Sequence, residues 1–157
     1  MTERQWPDLA GRIIRDGAGP RHVLPVRVYF EDTDAGGVVY HASFVRFAER
    51  GRTDFLRLLG TDARQLIDGS DKREPAAFVV RRMQIDFFRP GRMDDLLEVE
   101  TRVKELGGAS VTLIQTIKRG DQRLVEAEVT VVLVSVSGKP LRLNEAVRRA
   151  FLAQTQA

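Results

Sequence analysis

Cysteine is absent from this sequence, and histidine nearly so, with only His22 and His41 among 157 residues. The first absence excludes disulfides, thiolate metal sites and a cysteine nucleophile; the second excludes a zinc site built from several histidines. No Gly-x-Ser-x-Gly stretch occurs, so a serine-hydrolase elbow has no support. Charge of neither sign is concentrated. Twenty-five basic against 22 acidic residues leave a formal net charge of +3, which argues against nucleic acid as the main partner. No window approaches the roughly 20 apolar residues of a membrane span. The start, MTERQWPDLAGRIIRDG, lacks the apolar core of a signal peptide, so cytoplasmic residence is the expectation.

What is present is ordinary for a single globular domain: 43% hydrophobic and 30% charged residues, in a length able to bury a real core. Residues 1–23 read as an N-terminal extension, in which Trp6-Pro7-Asp8 could start a short helix through Ile14 before DGAGPRH breaks the pattern. The domain proper is read as 24–157. Val26, Val28 and Phe30 alternate with Arg27, Tyr29 and Glu31, the period of a half-buried strand. In SFVRFAERGRTDFLRLLG, Phe44, Phe47, Ala48, Gly51, Phe55, Leu58 and Leu59 recur at helical spacing. The spacing predicts a helix over 43–59, with Ser43 as N-cap and Gly60 just past its end. A shorter helix at 61–68 leads to four strands. They are AFVVRRMQIDFF, DLLEVETRVKEL with Leu97, Val99, Thr101 and Val103 on one face, SVTLIQTIKR, and RLVEAEVTVVLVSV. Gly107-Gly108 and Gly120-Asp121 mark hairpins, and Asn144 is placed to cap a last helix. Strand, long helix and antiparallel meander make an α+β architecture. Its uncovered edges call for dimerisation or higher assembly.

The chemistry-bearing stretch is YFEDTDAGGVVYHASF, Tyr29 to Phe44. Gly36-Gly37 permits positive φ and close backbone approach. It stands just ahead of a helix start, where unpaired N–H groups favour negative charge and can hold a developing oxyanion. Asp34, immediately before Ala-Gly-Gly, is better placed than Asp32 or Glu31 to act as nucleophile or general base. The same residues also suit a structural turn with capping carboxylates, and spacing alone leaves both readings open. Glu49 reads as the partner of Arg46 or Arg52 on the helix surface.

VRVYFEDTDAGGVVYHASFVRFAER resembles the signature of the hotdog-fold acyl-CoA thioesterases of the YbgC / 4-hydroxybenzoyl-CoA thioesterase type. FVVRRMQIDFFRPGRMDDLLEVET resembles the next block of the Tol-Pal-associated YbgC branch, and the likeness spans roughly residues 25–150. The resemblance implies a hotdog fold: a five-stranded antiparallel sheet wrapped around one long central helix. It also implies homodimers or homotetramers with active sites at the subunit interface, and no metal or other cofactor. It places the catalytic aspartate on Asp34 and the oxyanion-binding backbone N–H near His41, with Gly37, Val38 and Tyr40 lining the substrate. His41 itself could orient substrate or assist proton transfer, or be satisfied by a local carbonyl while its backbone acts. The Tyr40-His41 pair favours an aliphatic acyl-CoA over an aromatic one. Coenzyme A brings phosphates that call for arginines at a pocket mouth; Arg82 and Arg89 are the first candidates, with Arg81 and Arg92 beside them. The implied reaction is acyl-CoA plus water giving free acid and CoA. An acyl-carrier protein as carrier, a hydratase using the same pocket, and an interaction module for lipid-synthesis or envelope (Tol-Pal) partners are the alternatives.

Overall fold

The longest helix, α1, spans His41–Leu58. Phe44, Phe47, Ala48, Gly51 and Phe55 face the core, as their spacing requires, and Gly60 follows the helix with φ +86°. Leu58 departs from the expectation and stays exposed, while Asp54, one turn earlier, is buried. Ser43 is likewise not the N-cap. That position falls on Tyr40, and Ser43 lies fully buried inside the first turn, its hydroxyl accepting from Arg46 at 3.0 Å. The computed structural model describes residues 10–60, 68–70 and 73–155. Of the helix expected at 61–68, all but the last residue lies outside that range.

Among the described residues six strands form one antiparallel sheet in the order β1-β2-β4-β5-β6-β3. Their spans are β1 Arg12–Ile14, β2 Arg21–Arg27, β3 Ala76–Phe87, β4 Leu96–Leu106, β5 Ser110–Arg119 and β6 Gln122–Ser135. Five strands were expected, and β1 is the addition. It occupies part of the segment read as a detached extension or short helix, and pairs Arg12–Ile14 with Val23–Arg21. The Asp16–Gly19 turn that joins it to β2 uses the glycines read as helix breakers: Gly19, at φ +88°, donates to the Asp16 carbonyl at 2.9 Å. What holds β1 down is tertiary. Its neighbour Gly11 donates to Asp54 of α1 at 2.8 Å, in a gap so narrow that a Cβ there would lie 2.4 Å from the Val23 carbonyl.

The inward face of β4 is as expected, with Leu97, Val99, Thr101 and Val103 all buried, but Glu100 on the other face is buried too, held by Lys118 and Arg21. Two apolar clusters result. One surrounds Phe44 and Phe47 with Val26, Val28, Val39, Leu97 and Ile117. The other surrounds Phe55 with Val111, Leu113, Val129 and Phe151. Phe151 belongs to α2, Glu145–Leu152, which Asn144 caps by accepting from Val147 N–H at 2.8 Å.

Polar side chains lie under the middle of the helix. Gln115 is buried, donates to the Ala48 carbonyl at 2.9 Å and to Thr101 at 3.0 Å, and accepts from Arg52 at 3.0 Å. Gly51 lets the helix come this close to β4: a Cβ there would sit 2.7 Å from Val99 Cγ1 and 3.3 Å from the Gln115 amide. Gly51→Leu is therefore expected to lower stability by at least the ~1–3 kcal/mol typical of an overpacked core, read as a loss in urea midpoint.

Candidate active site

The Tyr29–His41 segment is tied down residue by residue. Phe30–Asp32 forms one 3₁₀ turn. Asp32 is 4% exposed; its carboxylate accepts from Tyr29 N–H at 2.8 Å, and its carbonyl from Tyr40 N–H at 2.9 Å. That carboxylate is a structural bracket. Asp34, two residues on, is exposed at the corner of a tight turn. Its N–H donates to the Val38 carbonyl at 2.9 Å and its carbonyl accepts from Gly37 at 3.0 Å. Among the described residues its side chain accepts only from Gly36 N–H, at 2.8 Å, as in an Asx turn. Gly37 stands at φ +79°, where a side chain would be strained. The glycine pair thus lets the chain reverse around a carboxylate that keeps most of its acceptor capacity for solvent or substrate.

The start of α1 is open in the complementary sense. Tyr40 supplies no side-chain cap. Ser43 N–H donates back to the Tyr40 carbonyl at 2.8 Å. The N–H groups of His41 and Ala42 have no acceptor among the described residues, so the positive end of the helix is free to meet an oxyanion. The His41 ring is exposed and accepts or donates no hydrogen bond among the described residues. Aromatic edges hold it instead: Tyr40 at 4.6 Å and Phe87, the last residue of β3, at 6.2 Å between ring centres. Phe87 continues to Phe44 at 6.1 Å, making an apolar wall behind the imidazole.

The other residues singled out in the sequence divide. Gly37, Val38 and Tyr40 lie on the turn itself. Arg89 is exposed just past the end of β3, its N–H on the Leu124 carbonyl. Arg82 is elsewhere. A bulge after Val80 puts Arg81 and Arg82 together in a groove of ≈ 440 Å³ with Gln84, Thr112 and Thr130. That groove shares no residue with the Asp34 turn, so a single chain does not bring Arg82 to it. Glu49 makes no direct ion pair with Arg46 or Arg52 among the described residues, although its charge acts on the Arg52 guanidinium. It accepts from Thr53 at 2.8 Å, because Arg46 is engaged by Ser43 and Arg52 by Gln115. Missed was the backbone of the segment after β3, where Gly91 accepts from Val39 N–H at 2.8 Å and Arg92 bridges to Val38. The sequence drew attention there only to Arg89 and Arg92, as candidates for the phosphates of CoA, and not to the backbone of the segment. Among the described residues no group of three or more His, Asp or Glu could hold a metal ion.

A carboxylate with free acceptor capacity on the turn that leads into unpaired helix-start N–H groups, which an aromatic wall adjoins, has the parts that hydrolysis of an activated acyl group calls for. Known proteins point the same way. The description "Thioesterase superfamily" matches residues 36–126, beginning inside the Asp34 turn. Acyl-CoA thioester hydrolase YbgC of Escherichia coli is 44% identical over 129 residues, covering 81% of this chain and 92% of that protein. Acyl-CoA thioesterase YbgC of Haemophilus influenzae is 43% identical, covering 82% and 92%. A probable thioesterase from Bartonella henselae superposes with a TM-score of 0.76 at 44% identity, over 79% of this chain and 99% of that one. The chain belongs to the thioesterase superfamily and adopts its hotdog fold, with six strands packed on the helix in place of five.

Proposed function

We propose that this protein is an acyl-CoA thioester hydrolase in which Asp34 is the essential carboxylate. The observation that carries the reading is the Asp34 turn, which presents a nearly unengaged carboxylate directly ahead of two unpartnered N–H groups of α1. Asp34 either attacks the thioester carbonyl, giving an acyl anhydride that water then cleaves, or takes a proton from the water that attacks. On either route the carbonyl oxygen gains negative charge, which the His41 and Ala42 N–H groups stabilise. The carbon–sulfur bond breaks, CoA leaves as a thiolate that takes up a proton, and the acyl group leaves as the free acid. The wall of Tyr40, His41, Phe44 and Phe87 suits an aliphatic chain, and Arg89, two residues past Phe87 of that wall, is the candidate arginine for the phosphates of CoA.

The assembly is part of the proposal. β3 is a sheet edge of 12 residues carrying exposed Val79 and Val80. Such an edge invites a second copy, in a dimer, or in a tetramer built from two dimers, that completes the site. No helix among the described residues is long and apolar enough to cross a membrane, and cytoplasmic residence, where CoA thioesters are made, fits the substrate.

The test is thiol release from straight-chain acyl-CoAs of increasing length and from benzoyl-CoA, with acyl-carrier-protein thioesters alongside. Turnover of the aliphatic CoA esters, with free acid as the product by mass spectrometry, is the expected result. An enoyl product, or preference for benzoyl-CoA or the carrier protein, overturns the corresponding part.

A further inference from the structure

The Asp34 turn does not stand alone. Thr33 bridges to Val39, and Val38 bridges to Arg92, so three short stretches form a miniature sheet with the Pro90–Asp95 segment as its outer member. Val39 N–H donates to the Gly91 carbonyl at 2.8 Å. The contact is close: a Cβ on Gly91 would lie 2.9 Å from Val39 Cγ2. Wherever this segment sits, the backbone leading into α1 must follow.

One side chain gathers the segment. Asp95 Oδ2 accepts from Arg92 N–H at 2.9 Å and from Arg119 Nη1 at 2.7 Å. Its own N–H returns to the Arg92 carbonyl at 3.1 Å, and its carbonyl accepts from Val28 N–H at 2.9 Å. Asp94 beside it takes the rare left-handed conformation, φ 70°, donates to the Val28 carbonyl at 2.9 Å and accepts from Arg27 at 2.7 Å. Arg119, at the end of β5, also reaches Gln122 at 3.0 Å. Burial alone would push the Asp95 carboxyl up, but the Arg92 N–H and the Arg119 guanidinium outweigh it and hold the group below the usual carboxylate range. The Asp95 carboxylate is therefore charged throughout the neutral range.

We infer that Asp95, tied by Arg119, is a positioning residue for the hydrolysis: it fixes the Pro90–Asp95 segment on which Val38 and Val39 hydrogen-bond, and so sets the Asp34 carboxylate relative to the first N–H groups of α1. The inference rests on the catalytic reading of Asp34. A half-exposed ion pair of this kind adds little to global stability, whereas a misplacement of about 1 Å in a reacting group can cost on the order of 100-fold in rate. Rate and stability therefore separate a positioning role from a structural one.

The experiment compares kcat, KM and melting temperature for wild type, Asp95→Asn, Arg119→Ala, Arg119→Lys, the Asp95→Asn/Arg119→Ala double variant, and Asp34→Asn. Expected are losses of about 10- to 100-fold in kcat for Asp95→Asn and Arg119→Ala, with KM within about twofold and little change in melting. Arg119→Lys should recover most of the rate, and the double variant should be no worse than its poorer parent. Wild-type kcat in Arg119→Ala and Asp95→Asn, or a loss that follows KM or melting temperature, overturns the positioning role. If Asp34→Asn is inactive in that case, the positioning role alone fails; if Asp34→Asn is active, the catalytic reading beneath it fails.

Discussion

Asp34→Asn is expected to yield a folded protein whose thiol release from acyl-CoA is about 100- to 10,000-fold slower than wild type, the range a positioned acid or base supplies. The substitution is nearly isosteric, and its amide oxygen can still accept from Gly36 N–H, the single hydrogen bond the carboxylate makes among the described residues. What disappears is the negative charge that attacks carbon or takes the proton from water. Because Asp34 is exposed, stability should move by no more than about 0.5 kcal/mol. KM should change little, since the helix-start N–H groups remain. Asp32→Asn is the informative contrast. Asp32 is buried and accepts from Tyr29 N–H at 2.8 Å, so its loss should appear first in the melting temperature. Equal kcat in wild type and Asp34→Asn, measured on the best substrate of the acyl-CoA panel, would remove Asp34 from the mechanism.

That contrast also marks what the sequence could show. Three carboxylates stand within four positions at Glu31, Asp32 and Asp34, and their order relative to Gly-Gly was enough to prefer Asp34. The bracket made by Asp32 explains why its neighbour is free, and that is visible only once the turn is closed. Periodic elements were legible for the same reason that they fold: β4 and the core face of α1 repeat one local rule over three or more turns or alternations. β1 could not be read, since three residues carry no period and its anchor, Asp54, lies more than forty residues away. Ser43 misled because a hydroxyl before an apolar run is the usual N-cap signal; here the helix starts two residues earlier with its first N–H groups uncapped. The Asp95 tie escaped for a similar reason. It unites β2, the Pro90–Asp95 segment and the end of β5, and no window along the chain contains them together.

The second large effect is expected at the far end of α1. Asp54 accepts from the fully buried His22 ring at 2.6 Å, from Gly11 N–H at 2.8 Å, and more loosely from Arg57 at 3.3 Å. Asp54→Ala leaves an imidazole and a backbone N–H buried without a partner, and should cost about 1–3 kcal/mol for each group left unsatisfied. Proteolysis should then open the β1 end first, since Gly11 loses its link to the helix. Asp54→Asn keeps one acceptor oxygen and should cost less. Acid should act through the same pair. Burial pushes His22 below its ordinary value, against the pull of Asp54 in the other direction. From the elements packed on the ring, Asp54 and Arg57 of α1 are the charged groups near it; its cross-strand partner in β4, Thr101, is neutral. In the unfolded chain His22 takes up a proton near pH ~6.5, while the folded protein resists until the pH is lower. Below that point the unfolded state binds more protons, so stability is fully present above pH ~6.5 and falls as pH drops toward the depressed folded value, then levels off. Urea midpoints from pH 8 to 5 should show this fall in wild type, and His22→Phe should remove that part of the slope. A wild type that instead gains stability on acidification through this range, with the gain lost in His22→Phe, would mean that the ring is charged in the fold and that the ion pair with Asp54 outweighs its burial.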